Sequence, residues 1–132
     1  MNDTGPSAPP VRFADAERLN PYQLLLDLHD HALGRSTDPA QEEVLAELAL
    51  AAAVVAWWSR WQPLTIHTAL RAGSGLADIT AATGLDQHEV VRRWRTWTEV
   101  QTRLIIGGRP ALDAEDVRTI GERLRQETDQ WT

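Results

Sequence analysis

Apolar residues recur with a helical period over most of the chain, and capping residues, glycines and prolines separate the apolar segments. Residues 20–33 form the first predicted helix, because Asn20 is a good cap and a proline follows at the first helical position. A second predicted helix begins after a cap at Asp38 and continues to Trp61, where Pro63 should stop it.

Further helical segments are predicted after this proline, and glycines separate them. They cover residues 63–71, 76–83, 87–106 and 113–128. No alternating pattern typical of strands is present, and no internal repeat. The sequence therefore predicts an all-α fold, a helical bundle preceded by a disordered, proline-rich tail at residues 1–12.

The second predicted helix has no polar face between residues 48 and 58, where the sequence is LALAAAVVAWW. A helix that is apolar on every side is normally surrounded by protein. A chain of 132 residues has few other helices to surround it, so we predict a homodimer or other partner contact through residues 39–61. Burial among the chain's own helices is the alternative.

Residues 76–94, with the sequence LADITAATGLDQHEVVRRW, carry the pattern that bears on function. Gly84 stands where a tight turn needs a positive φ, Leu85 follows as an apolar plug, and Asp86 caps the next helix. This stretch resembles helix-turn-helix proteins that bind double-stranded DNA, and the resemblance covers residues 63–104. Thr80 and Arg93 depart from the family pattern, which prefers alanine and an apolar residue there.

The resemblance implies that the helix after Gly84 lies in the major groove of DNA. Its buried face would hold Val90, Trp94, Trp97 and Leu104. The residues that it implies for reading base edges are Gln87, His88, Val91, Arg92 and Arg95. Phosphate contacts would come from Arg93 and Arg71, with a further backbone contact from Thr65 or Gln87. The alternative is a solvated arginine face on an ordinary surface helix.

The distribution of charge also indicates that the central part of the chain binds a polyanion. The chain has net charge −6, yet residues 58–109 hold seven arginines against four acidic residues, and both flanks are acidic. A basic centre between acidic flanks is typical of a module that binds a polyanion. All 13 basic residues are arginines, and this composition is similar to that of small regulators and repressors from actinobacteria and their phages.

Composition also excludes several classes of site. The chain has no cysteine, which excludes disulfides and thiolate metal centres, and the longest apolar run is shorter than a membrane span. We expect a cytosolic protein without enzymatic activity, cofactor, metal or membrane contact. No serine has a plausible base near it in sequence, and there is no phosphate loop after a strand.

These observations predict a sequence-specific, double-stranded DNA-binding transcription regulator of the repressor type. The predicted organisation is a tail (1–12), a helical dimerisation region (13–61), a helix-turn-helix domain (62–106) and a C-terminal loop and helix (107–132). We expect Arg109 to lie in a connector and the last helix to pack rather than touch DNA. The alternative function is a helical protein-interaction module, antitoxin-like or adaptor-like, without direct DNA readout.

Overall fold

The computed structural model describes residues 9–130, and this part of the chain is 74% helix and 3% strand. The predicted all-α class is confirmed. The elements are α1 (Phe13–Ala16), α2 (Pro21–Leu33), α3 (Gln41–Arg71), α4 (Leu76–Thr83), α5 (Gln87–Arg103), β1 (Ile105–Ile106), β2 (Arg109–Pro110) and α6 (Ala114–Gln130). Most of the predicted tail lies outside the described residues, and residues 9–12 belong to no helix or strand.

Side-chain caps begin three of the helices as the sequence indicates. Asn20 accepts the backbone N–H of Gln23 at 2.9 Å, Asp86 accepts that of Glu89 at 2.9 Å, and the Asp113 carboxylate accepts from residue 115 at 3.0 Å. Each cap satisfies one of the N–H groups that have no partner within the helix. The predicted starts of α2, α5 and α6 are therefore confirmed.

The predicted stop before Pro63 is wrong, because α3 runs through this proline to Arg71 and includes the segment expected to be a separate helix. An internal proline costs a helix about 3 kcal/mol. Ile66 and Leu70, one and two turns further on, are both buried, and each such side chain stabilises the fold by about 1.5–3 kcal/mol. Burial of the residues beyond the proline outweighs its cost.

The predicted cap of α3 is also displaced. The helix begins at Gln41 rather than at residue 39, and the N–H of Ala40 donates to Oε2 of Glu43 at 3.1 Å. A glutamate in the first turn therefore provides the capping contact that was expected from Asp38.

The chain divides into two compact units, one ending at Arg60 and the other beginning at Trp61. The core of the first unit consists of small and medium apolar residues, namely Ala16, Leu24, Ala49, Leu50 and Ala53. On α3, Leu48 and Val55 remain 60% and 64% exposed. Within this unit the helix is thus covered on one side only.

In the second unit, four helices contribute to one core. Its buried residues are Ile66, Leu70, Leu76, Ile79, Val90, Trp94, Ile120 and Leu124. Val90 and Trp94, which are predicted on the buried face of the helix after Gly84, are both buried, and Ile79 of α4 is buried with them. The last helix belongs to this core through Ile120 and Leu124, so it packs as expected.

A short hairpin replaces the predicted end of α5, which stops at Arg103 instead of residue 106. Strands β1 and β2 pair antiparallel, and the turn between them consists of Gly107 and Gly108, both with positive φ, as a two-residue hairpin turn requires. Leu104 follows the helix and is exposed, so its predicted place in the core is wrong. Two-residue strands are too short to show an alternating pattern.

In the part of the chain that the structure describes, α3 is long and apolar enough to cross a membrane, judged by length and composition. Its most apolar window is 22% buried. One such helix is weak evidence for a membrane span, so it does not contradict the expectation of a soluble protein.

Candidate nucleic-acid interface

Helices α4 and α5 are joined by a tight turn of residues 84–86. Gly84 has φ 74°, and its N–H donates to the carbonyl of Thr80 at 2.9 Å, which closes α4. The hydroxyl of Thr83 accepts the N–H of Leu85 at 3.2 Å, and Asp86 then caps α5. The left-handed glycine and the two side-chain contacts fix the direction in which α5 leaves the turn.

One face of α5 is anchored in the core of the second unit. Val90, Trp94 and Thr98 are buried at helical spacing. The indole Nε1–H of Trp94 donates to Nδ1 of His67 at 3.0 Å, which links α5 to α3. The orientation of α5 about its own axis is therefore set by packing and by a buried hydrogen bond.

The opposite face of α5 is polar and exposed. It carries His88, Arg92, Arg95, Thr96, Glu99 and Arg103. The structure thus brings three of the five predicted base-reading side chains, His88, Arg92 and Arg95, to one solvent-facing surface. We call these three residues the outer triad.

Glu89 holds two of the arginines next to this surface. Arg92 donates to both of its carboxylate oxygens, at 3.0 Å and 2.5 Å, and Arg93 donates to Oε1 at 2.7 Å. Hydrogen bonds from Arg92 and then Arg93 lower the pKa of Glu89 to about 2. The carboxylate is therefore ionised at neutral pH and offsets one of the two positive charges.

Arg93 is held on a second side as well, since its Nη1 donates to Oε1 of Gln62 on α3 at 2.7 Å. The residue is half-buried and ties α5 to α3. This polar contact explains how an arginine takes a position where an apolar residue is usual. Its guanidinium is engaged within the unit rather than turned outward.

The other two predicted base-reading residues are less accessible. Val91 is half-buried against the core of the second unit, and the Oε1 atom of Gln87 is buried with no hydrogen-bond partner among the described residues. For Gln87 to read a base, its side chain would have to change rotamer.

Arg71 and Thr65 do not join the outer triad. Nε of Arg71 lies 3.6 Å from Oδ2 of Asp116, which belongs to the first turn of α6. His88 lines the same depression as Thr128, which belongs to the last turn of α6. Twelve residues of helix separate these two turns, a distance of about 18 Å. The hydroxyl of Thr65 donates to the carbonyl of Trp61 at 3.4 Å.

A groove between α5 and α6, which sequence reasoning did not find, adjoins the outer triad. One depression of about 420 Å³ is lined by the outer triad and by Arg125, Thr128 and Asp129 of α6. A second depression of about 350 Å³ continues between the same helices, and Arg95 and Arg125 line both. The only sequence signal for this groove is the apolar stripe of α6, which places the helix on the core.

Residues 9–130 contain no group of three or more His, Asp or Glu side chains that could hold a metal ion. No family model, curated protein or solved structure matches the chain.

Proposed function

We propose that the second unit binds double-stranded DNA through a helix-turn-helix formed by α4 and α5, and that the protein is a sequence-specific transcription regulator of the repressor type. The observation that supports this most is the outer triad. It projects from a helix whose other face is anchored in a core and whose start is fixed by the Gly84 turn.

The dimensions and chemistry of α5 suit the major groove. Its 17 residues extend about 25 Å, and the groove of B-DNA is wide enough to admit a helix. Arg92 and Arg95 lie three residues apart, so both can approach neighbouring base pairs. A guanidinium recognises guanine through two hydrogen bonds, and an imidazole can donate to or accept from a base edge.

Arg92 has to leave Glu89 to reach a base, and the geometry provides for this exchange. When Arg92 turns outward, Arg93 still donates to Glu89 at 2.7 Å, so the carboxylate keeps a partner. Exposed ion pairs of this kind contribute little to stability. Releasing Arg92 therefore costs little compared with two hydrogen bonds to guanine.

The proposed DNA-binding form of the protein is a homodimer. One helix-turn-helix with few phosphate contacts binds weakly, and regulators of this type place two recognition helices about 34 Å apart on DNA. The exposed residues Leu48, Val55 and Trp58 of α3 support a homodimer contact within residues 39–61. Covering them would remove apolar surface from water.

A protein-interaction module is the second candidate function. It is favoured by exposed apolar residues at the end of α5 and on the hairpin, namely Val100, Leu104, Ile105 and Ile106. Clusters of exposed apolar side chains mark many protein contact surfaces. Under this alternative the second unit would hold a protein and the outer triad would be a solvated surface.

Selection of bound sequences from a random duplex pool, followed by anisotropy titrations at several salt concentrations, tests the proposal. The wild-type chain should enrich a defined sequence, and its affinity should fall steeply with salt. Replacing Arg92 and Arg95 together by Ala should abolish sequence preference without loss of helical content. The matched control replaces Arg12 and Arg18, two exposed arginines of the first unit, and should retain the preference. A wild-type chain that enriches no sequence would refute the proposal.

A further inference from the structure

The groove between α5 and α6 brings the last turns of α6 beside the outer triad. Arg125 of α6 and Arg95 of α5 line both depressions, so they lie where the two meet. We propose that Arg125 binds a backbone phosphate of the DNA whose major groove α5 enters, beside the base pair that Arg95 approaches. This inference rests on the proposed DNA binding and assigns α6 a role that the sequence did not indicate.

Arg95 and Arg125 differ from the neighbouring arginines because their N–H donors are not used in internal contacts in the part of the chain that the structure describes. Arg92 and Arg93 donate to Glu89, Arg118 donates to Glu115 at 2.5 Å, and Arg123 donates to the carbonyl of residue 70. Within residues 9–130, neither Arg95 nor Arg125 makes an ion pair or a side-chain hydrogen bond. Their guanidinium groups can therefore bind an anion without breaking an internal contact.

The chemistry of the groove suits a phosphate ester. A guanidinium presents N–H donors in a planar fork that matches phosphate oxygens, so Arg125 can bind one phosphate through two hydrogen bonds. Thr96 adds an exposed hydroxyl at the same depression. Four arginines and two acidic residues, Asp129 and Glu99, line the groove, and two of the arginines, Arg92 and Arg118, are paired with Glu89 and Glu115.

Packing holds α6 beside α5, so that Arg125 lies next to the outer triad. Glu127 accepts the N–H of Leu76 at the start of α4 at 2.7 Å, and Arg123 donates to the carbonyl of Leu70 at 2.7 Å. At Gly121, an added Cβ would lie 3.8 Å from the Trp94 ring, so the two helices pack closely. A preformed site loses little conformational entropy when it binds.

The test uses the full-length chain with a selected duplex and an unrelated duplex of the same length. Arg125→Gln should weaken binding to both by a similar factor, about tenfold, because a phosphate contact carries no sequence information. The slope of log affinity against log salt should fall by about one. Arg125→Lys keeps the charge and should preserve most of the slope.

Arg18→Gln is the matched control, since Arg18 is an exposed arginine of the first unit that lines neither depression. It should change affinity and salt slope much less than Arg125→Gln. Equal changes of affinity and salt slope in the two variants would overturn the phosphate site. The proposed function would still stand if the double replacement of Arg92 and Arg95 abolished sequence preference. Failure of the wild-type chain to bind either duplex would overturn both. If Arg125→Gln weakened the binding of inorganic phosphate but not the binding of DNA, the site would bind a free phosphate, and the proposal that it binds the DNA backbone would be wrong.

Discussion

The indole N–H of Trp94 donates to Nδ1 of His67 over 3.0 Å, and both side chains are buried in the core of the second unit. Trp97 lies against the same imidazole, with ring centroids 5.4 Å apart. Because Nδ1 accepts a hydrogen bond, the imidazole carries no proton on that nitrogen. One neutral histidine therefore joins the C-terminal part of α3 to the helix that carries the outer triad.

Acidification should weaken this link. Burial first, and the nearby Arg71 second, lower the pKa of His67 below its ordinary value of 6.5, while Asp116 opposes the shift. A lowered pKa means that the unfolded chain binds the proton more readily. The contribution of neutral His67 to the free energy of unfolding is thus full above pH 6.5 and declines as the pH falls towards its lower folded-state pKa. Urea unfolding of the second unit, measured between pH 7.5 and 5, should show this decline.

Matched histidine variants assign the decline to one side chain. His67→Gln should flatten the pH dependence in this window. His88→Gln removes an exposed imidazole from the same unit and should leave the dependence as in the wild type. A dependence that persists in His67→Gln would show that another group is responsible.

The turn before α5 depends on Gly84. Its φ of 74° is costly for a residue with a Cβ, and nothing lies within 4 Å of the place where a Cβ would be added. Gly84→Ala should therefore lower the free energy of unfolding by about 1–2 kcal/mol through backbone strain alone. Gly84→Asn should cost less, because asparagine tolerates this conformation. Chemical denaturation measures both.

Gly121 provides the comparison for the Gly84 variants. It lies inside α6, and an added Cβ would be in ordinary contact with Trp94. Alanine is favoured over glycine in a helix by about 1 kcal/mol, so Gly121→Ala should be neutral or stabilising. A Gly84→Ala protein as stable as Gly121→Ala would contradict the role of the left-handed turn.

Features set by neighbouring residues could be predicted from the sequence, and features set by distant ones could not. The Asn20 and Asp86 caps and the Gly84 turn depend on residues within one turn of each other. Helix α3 continues through Pro63 because residues beyond it are buried against α4, α5 and α6, which no local pattern records.

The candidate site shows the same division. Helical spacing alone places His88, Arg92 and Arg95 on one face, as the structure does. The contact between Arg93 and Gln62 joins residues 31 positions apart, and the α5–α6 groove joins residues about 30 positions apart. Sequence reasoning from local pattern therefore found the exposed face of α5 but missed the part that α6 adds.

Removing the charge of Glu89 should strengthen DNA binding. Glu89 is ionised at neutral pH, with a pKa of about 2, and its charge opposes the approach of phosphates to α5. Glu89→Gln also frees Arg92, so the affinity for any duplex should rise about threefold or more in low salt. Anisotropy titrations measure the change. Glu115→Gln, which frees Arg118 on α6, is the control and should have a smaller effect. Weaker binding by Glu89→Gln would mean that Glu89 positions the arginines for contact.

The exposed apolar side of α3 should determine the oligomeric state. Val55→Glu puts a charge at the centre of the proposed dimer surface, and burying an unpaired charge is strongly unfavourable. Sedimentation equilibrium should therefore show a dimer for the wild type and a monomer for Val55→Glu. The control is Leu33→Glu, since Leu33 at the end of α2 is more exposed than Val55 but lies outside residues 39–61, so this variant should remain dimeric.

DNA selection links this surface to function, because a symmetric dimer should enrich two half-sites about 10 base pairs apart, centre to centre. The monomeric variant should keep the preference for one half-site and lose the fixed spacing. A wild-type chain that sediments as a monomer at the concentrations used for DNA binding would contradict the dimer, and the α3 surface would then be the contact for a different protein.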